Sequence, residues 1–162
     1  MQSISKNITP VRECEFGKRS KAYREGLKFI IDEEDYDKFV KGESFYSNKG
    51  YARSGKDKFL HRLIMNAPDG MDVDHINGNP LDNRKCNLRI CTHAQNSFNK
   101  GKYKNNTSGF KGVNWNNNNK KYQSRIMLNG KSISLGYFEK AEDAYKAYCG
   151  ACVKYHQEFH HF

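Results

Sequence analysis

The 162-residue sequence predicts an α+β chain of two small modules. One is a ββα unit near the middle; the other, after a basic linker, is a three-stranded antiparallel sheet packed on one helix. Three observations predict this. The stretch "MDVDHI", "NGNPLDN", "NLRIC", "THAQNSFNK" reads strand, polar loop, strand, helix, with Thr92 in the N-cap position. Farther on, "GFKGVNW", "KKYQSRIML" and "KSISLGYF" are strand candidates separated by Asn-rich turns, and Asn129-Gly130 is a strong hairpin signal. From about Lys140 to Tyr155, Ala141, Ala144, Tyr145, Ala147, Tyr148, Ala151, Cys152 and Tyr155 recur at helical spacing and give a face to lay on that sheet.

Taken in order, residues 1–22 are polar, basic and without periodicity, which predicts a leader or arm. A module over 23–99 follows, with its ββα core at about 71–99. It opens with a short apolar strand, Leu27 to Ile31, and an acidic cluster, Asp32 to Asp37, that reads as a solvated turn or helix start. "SFYSNKGYARSGKDKFLHRLIM" reads as a strand, an Asn-Lys-Gly turn, a strand, and a helix carrying Leu60, Leu63 and Ile64 on one face. Pro68-Asp69-Gly70 is a turn by its chemistry. Residues 100–107 read as a basic linker, and 108–162 as the second module.

Composition narrows the function. A net charge of +10 makes a polyanion the expected partner, since Lys and Arg gain sequence-independent affinity by displacing counterions from nucleic acid. Between Ser97 and Lys131 stand eight Lys or Arg and no Asp or Glu. No apolar run reaches the ~18 residues of a membrane span, and the N-terminus lacks a secretory signal, so an intracellular protein without membrane contact is expected. The five cysteines form no repeated metal knuckle, and Cys149 and Cys152 read as core residues of a helix.

The stretch "VDHINGNPLDNRKCNLRICTHAQN", Val73 to Asn96, is too poor in apolar residues to be a core segment. Its residues suit phosphodiester hydrolysis, which needs a base for water, a cation for the developing charge, and a means of aiming both. A neutral His75 suits the base. Asp74, on the other side of the strand or diverging from His75 across a bulge, suits a hard divalent cation. Asn87, across the hairpin, is placed to orient His75, and Asn96, in the following helix, could bring an amide oxygen to the metal. His61, His93, Arg62 and Arg89 are accessory candidates, His93 being the fallback ligand.

Asp74-His75, Asn87 and Asn96 in the frame DHINGNPLDNRKCNLR...QN resemble the His-Asn-His (HNH) nuclease motif in the variant ending in Asn, as in phage and intron-associated homing endonucleases. "LHRLIM" and "IDEEDYDKF" fit what precedes that motif, so the resemblance covers about Leu27 to Asn99. It implies a ββα-metal fold in which His75 is the general base, Asn87 orients it, and Asp74 and Asn96 hold one metal. An oxygen ligand at Asn96 turns the expected cation toward Mg²⁺, with Mn²⁺ able to substitute, and away from Zn²⁺.

The second module resembles the plant ethylene-response-factor (Apetala-type) DNA-binding domain, through Gly112-Val113, Tyr122, Ile126, Leu135-Gly136-Tyr137-Phe138 and the helix "EKAEDAYKAYCGACVKYHQEF". The resemblance implies a sheet that enters the major groove of double-stranded DNA with Lys111, Asn114, Arg125, Met127, Ser132 and Ser134. Trp115 and Lys121 are candidates for backbone contacts, Trp115 equally for core packing, and Lys100, Lys102 and Lys104 of the linker for phosphates. The expectation is a metal-dependent DNA endonuclease, homing-type or phage-encoded, working as a monomer in the host cytoplasm, with a dimer as the alternative for a palindromic target. The competing expectation is a DNA-binding regulator with a vestigial nuclease fold.

Overall fold

A computed structural model describes residues 10–55, 58–99, 101, 105–156 and 159. The chain divides into two compact units, Met1–Cys91 and Thr92–Phe162.

In the first unit, β1 (Val11–Glu15) pairs antiparallel with β2 (Lys28–Asp32), with Cys14 opposite Phe29. A short helix, α1 (Lys21–Arg24), is capped by Ser20, whose side chain accepts from the Tyr23 amide. Residues 10–22 therefore belong to the fold and are not a leader. The polar surface of that stretch hides Cys14, Phe16 and Ala22, which are buried. Phe16 and Phe45 pack on either side of Phe29, with ring centroids 5.2 and 5.3 Å away. Each such ring taken out of water contributes about 2–3 kcal/mol, so this aromatic run is a main source of stability for a small unit.

The acidic cluster is also more than a solvated turn. It forms α2 (Glu33–Phe39), with Asp32 and Asp35 buried. The Asp32 carboxylate accepts from the Lys85 amide at 2.8 Å, and the Lys85 ammonium bridges Glu34 and Asp35 at 2.8 Å each. The cluster thus anchors the loop beyond the Asp-His pair. The hairpin β3 (Phe45–Asn48) and β4 (Tyr51–Ser54) turns through Lys49 and Gly50, both at positive φ, as its Asn-Lys-Gly signal predicts. α3 (Leu60–Met65) buries Leu60, His61 and Ile64 and ends on a left-handed Asn66. A second hairpin pairs β5 (Asp72–His75) with β6 (Leu88–Cys91).

The second unit begins with α4 (His93–Asn99). Thr92 and Gln95 close a capping box: the Gln95 amide donates to Thr92 Oγ1 at 3.2 Å, and the Thr92 amide donates to Gln95 Oε1 at 2.8 Å. The sheet runs β7 (Val113–Asn116), β8 (Lys121–Leu128), β9 (Lys131–Phe138), antiparallel throughout. It packs on α5 (Ala141–Tyr155), which buries Ala144, Tyr148, Ala151 and Cys152 against Val113 and Ile126. Part of the expected linker is tied into this unit, because Asn106 Nδ2 donates to the carbonyl of Phe110 at 2.8 Å. The cysteines are unbonded thiols. Among the described residues no helix is long and apolar enough to cross a membrane.

Candidate nuclease site and nucleic-acid interface

Alternation along β5 sends neighbouring side chains to opposite faces, and here both Asp74 and His75 are nonetheless buried. Asp74 lies opposite Arg89 in the hairpin register. The guanidinium donates from Nε at 2.9 Å and Nη2 at 2.7 Å, both to Asp74 Oδ2. Arg89 thus compensates a carboxylate that burial alone would disfavour. Arg62 acts elsewhere, donating to the carbonyls of Met71, Ala67 and Pro68 and so clamping the turn that leads into β5.

His75 Nε2 lies 3.5 Å from Oδ1 of Asn83, a fully buried side chain. With Nε2–H donated to that oxygen, Nδ1 is the basic nitrogen of the ring. Burial lowers the His75 pKa below its ordinary 6.5, against smaller upward pulls from Asn83, Asp74 and Asp82, so the ring is neutral at pH 7. His61 meets it edge-on, with centroids 5.1 Å apart, and Tyr51 flanks both rings at 5.2 and 5.7 Å.

The imidazole's amide partner is therefore Asn83, where the sequence points to Asn87. Asn87 is buried and organises the loop instead. Its Oδ1 accepts from the Asn77 amide at 3.0 Å, and its Nδ2 donates to Asn77 Oδ1 at 3.0 Å and to the Asp82 carbonyl at 2.8 Å. Asp82 holds Arg84 through Nε at 2.8 Å and Nη2 at 2.6 Å, which keeps its carboxyl below the usual range. The Asn83 amide donates to the Ile30 carbonyl at 2.8 Å, and the Ile30 amide donates to that of Leu81 at 2.8 Å, strapping the loop to β2. Asn83 and Asp82 are hidden in "PLDN", which reads as ordinary turn chemistry. Their only sequence signal is that two polar residues precede Arg84 in a loop already rich in them.

His61 is 7% exposed, and its Nδ1 has no hydrogen-bond partner among the described residues. Burial and the neighbouring His75 lower its pKa from 6.5 to about 3. An unfolded His takes up its proton near pH 6.5, so the unfolded chain binds more protons than the folded one between those values. Stability is full above about pH 6.5 and falls on acidification toward about pH 3, by up to about 1.4 kcal/mol per pH unit. His61→Gln is expected to flatten this slope in urea melts recorded from neutral to mildly acidic pH; an unchanged slope would count against a neutral buried His61.

Two further candidates, Asn96 and His93, stand in α4, in the second unit. On the sheet, the register places Asn114, Arg125, Met127, Ser132 and Ser134 together on the face away from α5, all exposed. Lys111 departs from the expected interface: its ammonium is half-buried and donates to the carbonyl of Phe98 at 2.6 Å, and burial lowers its pKa. Trp115 has α5-side parity and meets Tyr122 edge-on at 5.0 Å, yet stays 45% exposed at the sheet's end. Lys121 pairs with Glu139 at 2.9 Å. Lys100, Lys102 and Lys104 lie outside the described residues.

In comparison with known proteins, residues 58–98 match the family model described as HNH endonuclease. This segment is similar to HNH endonucleases. The match runs from the start of α3 into α4 and so takes in Asp74, His75, Asn83, Asn87 and Asn96. The chain is 39% identical over 64 residues to Protein 3.8 of Escherichia phage T7, covering 40% of this chain and 53% of that protein. It is 33% identical over 93 residues to an uncharacterised HNH endonuclease of Acanthamoeba polyphaga mimivirus, covering 56% of this chain and 47% of that one. The chain spans about half the length of these relatives. No solved structure matches it. The HNH match ends before the three-stranded sheet.

Proposed function

We propose that the chain is a divalent-metal-dependent endonuclease that hydrolyses phosphodiester bonds of double-stranded DNA. In this reading residues 10–99 carry the nuclease and the sheet of 108–162 carries the targeting. The observation that supports it most is the buried Asp74-His75 pair inside the HNH domain, with a neutral His75 held against Asn83. His75 Nδ1 takes a proton from water; the water oxygen bonds to phosphorus as the bond to the 3′-oxygen breaks, leaving a 5′-phosphate and a 3′-hydroxyl.

HNH nucleases in general depend on a divalent metal. The donors here fit a hard cation that needs few protein ligands: a buried carboxylate, Asp74, and an amide oxygen that the sequence motif assigns to Asn96. When bound, Mg²⁺ supplies positive charge to the transition state and the leaving oxygen. Asn87 acts one step back, by holding the loop that carries Asn83.

On the sheet, the outer face of Asn114, Arg125, Met127, Ser132 and Ser134 carries cationic and hydrogen-bonding groups and no acidic side chain, which suits a base-lined groove. The phage and viral relatives support a mobile or phage-encoded enzyme acting in a host cytoplasm. With one Asp-His pair per chain, a monomer cuts one strand at a time. Supercoiled plasmid incubated with the protein is expected to become nicked in Mg²⁺ and remain intact in EDTA, with nicks that a DNA ligase seals. Binding without conversion would support the regulator reading instead.

A further inference from the structure

We propose that Gln123 is a positioning residue that fixes the Arg125 guanidinium to read a guanine, an inference resting on the reading of the sheet as a duplex-DNA interface. Gln123 lies on the outer face of β8, yet only 4% of it is exposed. Neighbours on its own strand and on both adjacent strands use its whole amide. Its Nε2 donates to Ser134 Oγ at 3.3 Å and to Tyr137 Oη at 3.1 Å, while its Oε1 accepts from Arg125 Nη2 and, at 3.5 Å, from Asn116 Nδ2.

An irregularity in strand pairing makes this hub. Ser134 and Tyr137 are three residues apart and would face opposite sides of a regular strand. The register shift at Ser124/Arg125 leaves Leu135 without a partner, so Ser134 opposes Arg125 and Tyr137 opposes Gln123 on the same face. Leu135 packs instead into the core beneath the sheet. A bulge in such a place re-aims side chains, and here it brings two hydroxyls onto one amide.

The consequence is chemical. Arg125 is exposed, and the one hydrogen-bond partner of its guanidinium among the described residues is this neutral amide, not a carboxylate. That contact restricts its rotation without setting a carboxylate beside it, and Arg125 stands among Asn114, Met127, Ser132 and Ser134 on the outer face. A guanidinium fixed in that way matches the paired O6 and N7 acceptors of guanine in the major groove, whereas a phosphate contact needs only charge. Gln123 itself is too buried to touch DNA and acts through Arg125.

The test is selection of preferred sites from a pool of randomised duplexes by the full chain in EDTA, followed by affinity measurements across a salt series. The wild type is expected to select a guanine at one position. Arg125→Lys and Gln123→Leu should each reduce discrimination there roughly tenfold or more, with the salt dependence of binding nearly unchanged. Gln123→Glu, which keeps an acceptor for Arg125, should retain the guanine preference while binding more weakly overall. If Gln123→Leu melts before the wild type, Tyr137→Phe, which removes one of the amide's two hydroxyl anchors at an exposed position, should still lose part of the discrimination. Full guanine preference in Gln123→Leu or in Tyr137→Phe, or a wild type that binds duplexes without preferring guanine, would overturn the inference and leave the DNA-binding reading in place. No duplex binding by the wild type would overturn both.

Discussion

Asp74→Ala is expected to abolish Mg²⁺-dependent cleavage and, separately, to destabilise the first unit by roughly 3 kcal/mol, the cost of breaking a buried ion pair from one side. Both losses follow from one side chain with two partners at different stages. In the structure its Oδ2 receives two donors from Arg89, which is itself 13% exposed at the side chain. In the proposed reaction the same carboxylate holds the cation. Arg89→Ala separates these roles. It should destabilise the fold to a similar degree while the folded fraction still cleaves. Denaturant melts and cleavage rates normalised to folded protein provide the comparison; equal loss of cleavage in the two variants would mean that the pair is structural and the ligand lies elsewhere.

Gly112→Ala is expected to be the most damaging small substitution in the second unit. Gly112 has φ of +74°, and a Cβ there would stand 2.1 Å from Cδ2 and 2.3 Å from Cε2 of Tyr148. Both the backbone conformation and the ring oppose a methyl group. Tyr148 cannot swing aside cheaply, because it is buried in the core with Ile126, Ala151 and Cys152. A loss of about 3 kcal/mol or more is expected in thermal or urea unfolding followed at the sheet unit. Tyr148→Leu in the same chain should relieve part of it, since the two changes share one contact. A Gly112→Ala protein as stable as the wild type would show that the ring is not packed on this glycine.

Features written in contiguous residues are legible from the sequence. The Asn-Lys-Gly and Asn-Gly turns, the strand-loop-strand run around Asp74-His75, the Thr92 cap and the apolar face of α5 each need only a few neighbouring positions, and each appears where expected. Features that depend on pairing across the chain are not. Val11–Glu15 becomes a strand because β2 completes its hydrogen bonds, and its own pattern of charged residues gives no period-2 signal. Asp32 and Asp35 look like solvated charges until Lys85, some fifty residues later, reaches them. Asn83 and Gln123 escape notice for the same reason: a polar residue in a turn and a glutamine in a strand show their importance only through what they touch. The motif points to Asn87, and the structure gives that residue a different role, holding the loop on which Asn83 is carried.

In the proposed reaction His75 is the base for cleavage. This role is tested most directly by the single-turnover rate at which the wild type and His75→Ala convert supercoiled plasmid at the same Mg²⁺ concentration, with plasmid binding and melting measured alongside. A metal-dependent rate is expected for the wild type, and a rate roughly 10²- to 10⁴-fold lower for the variant, with binding retained. A His75→Ala protein that cleaves as fast as the wild type would contradict that role.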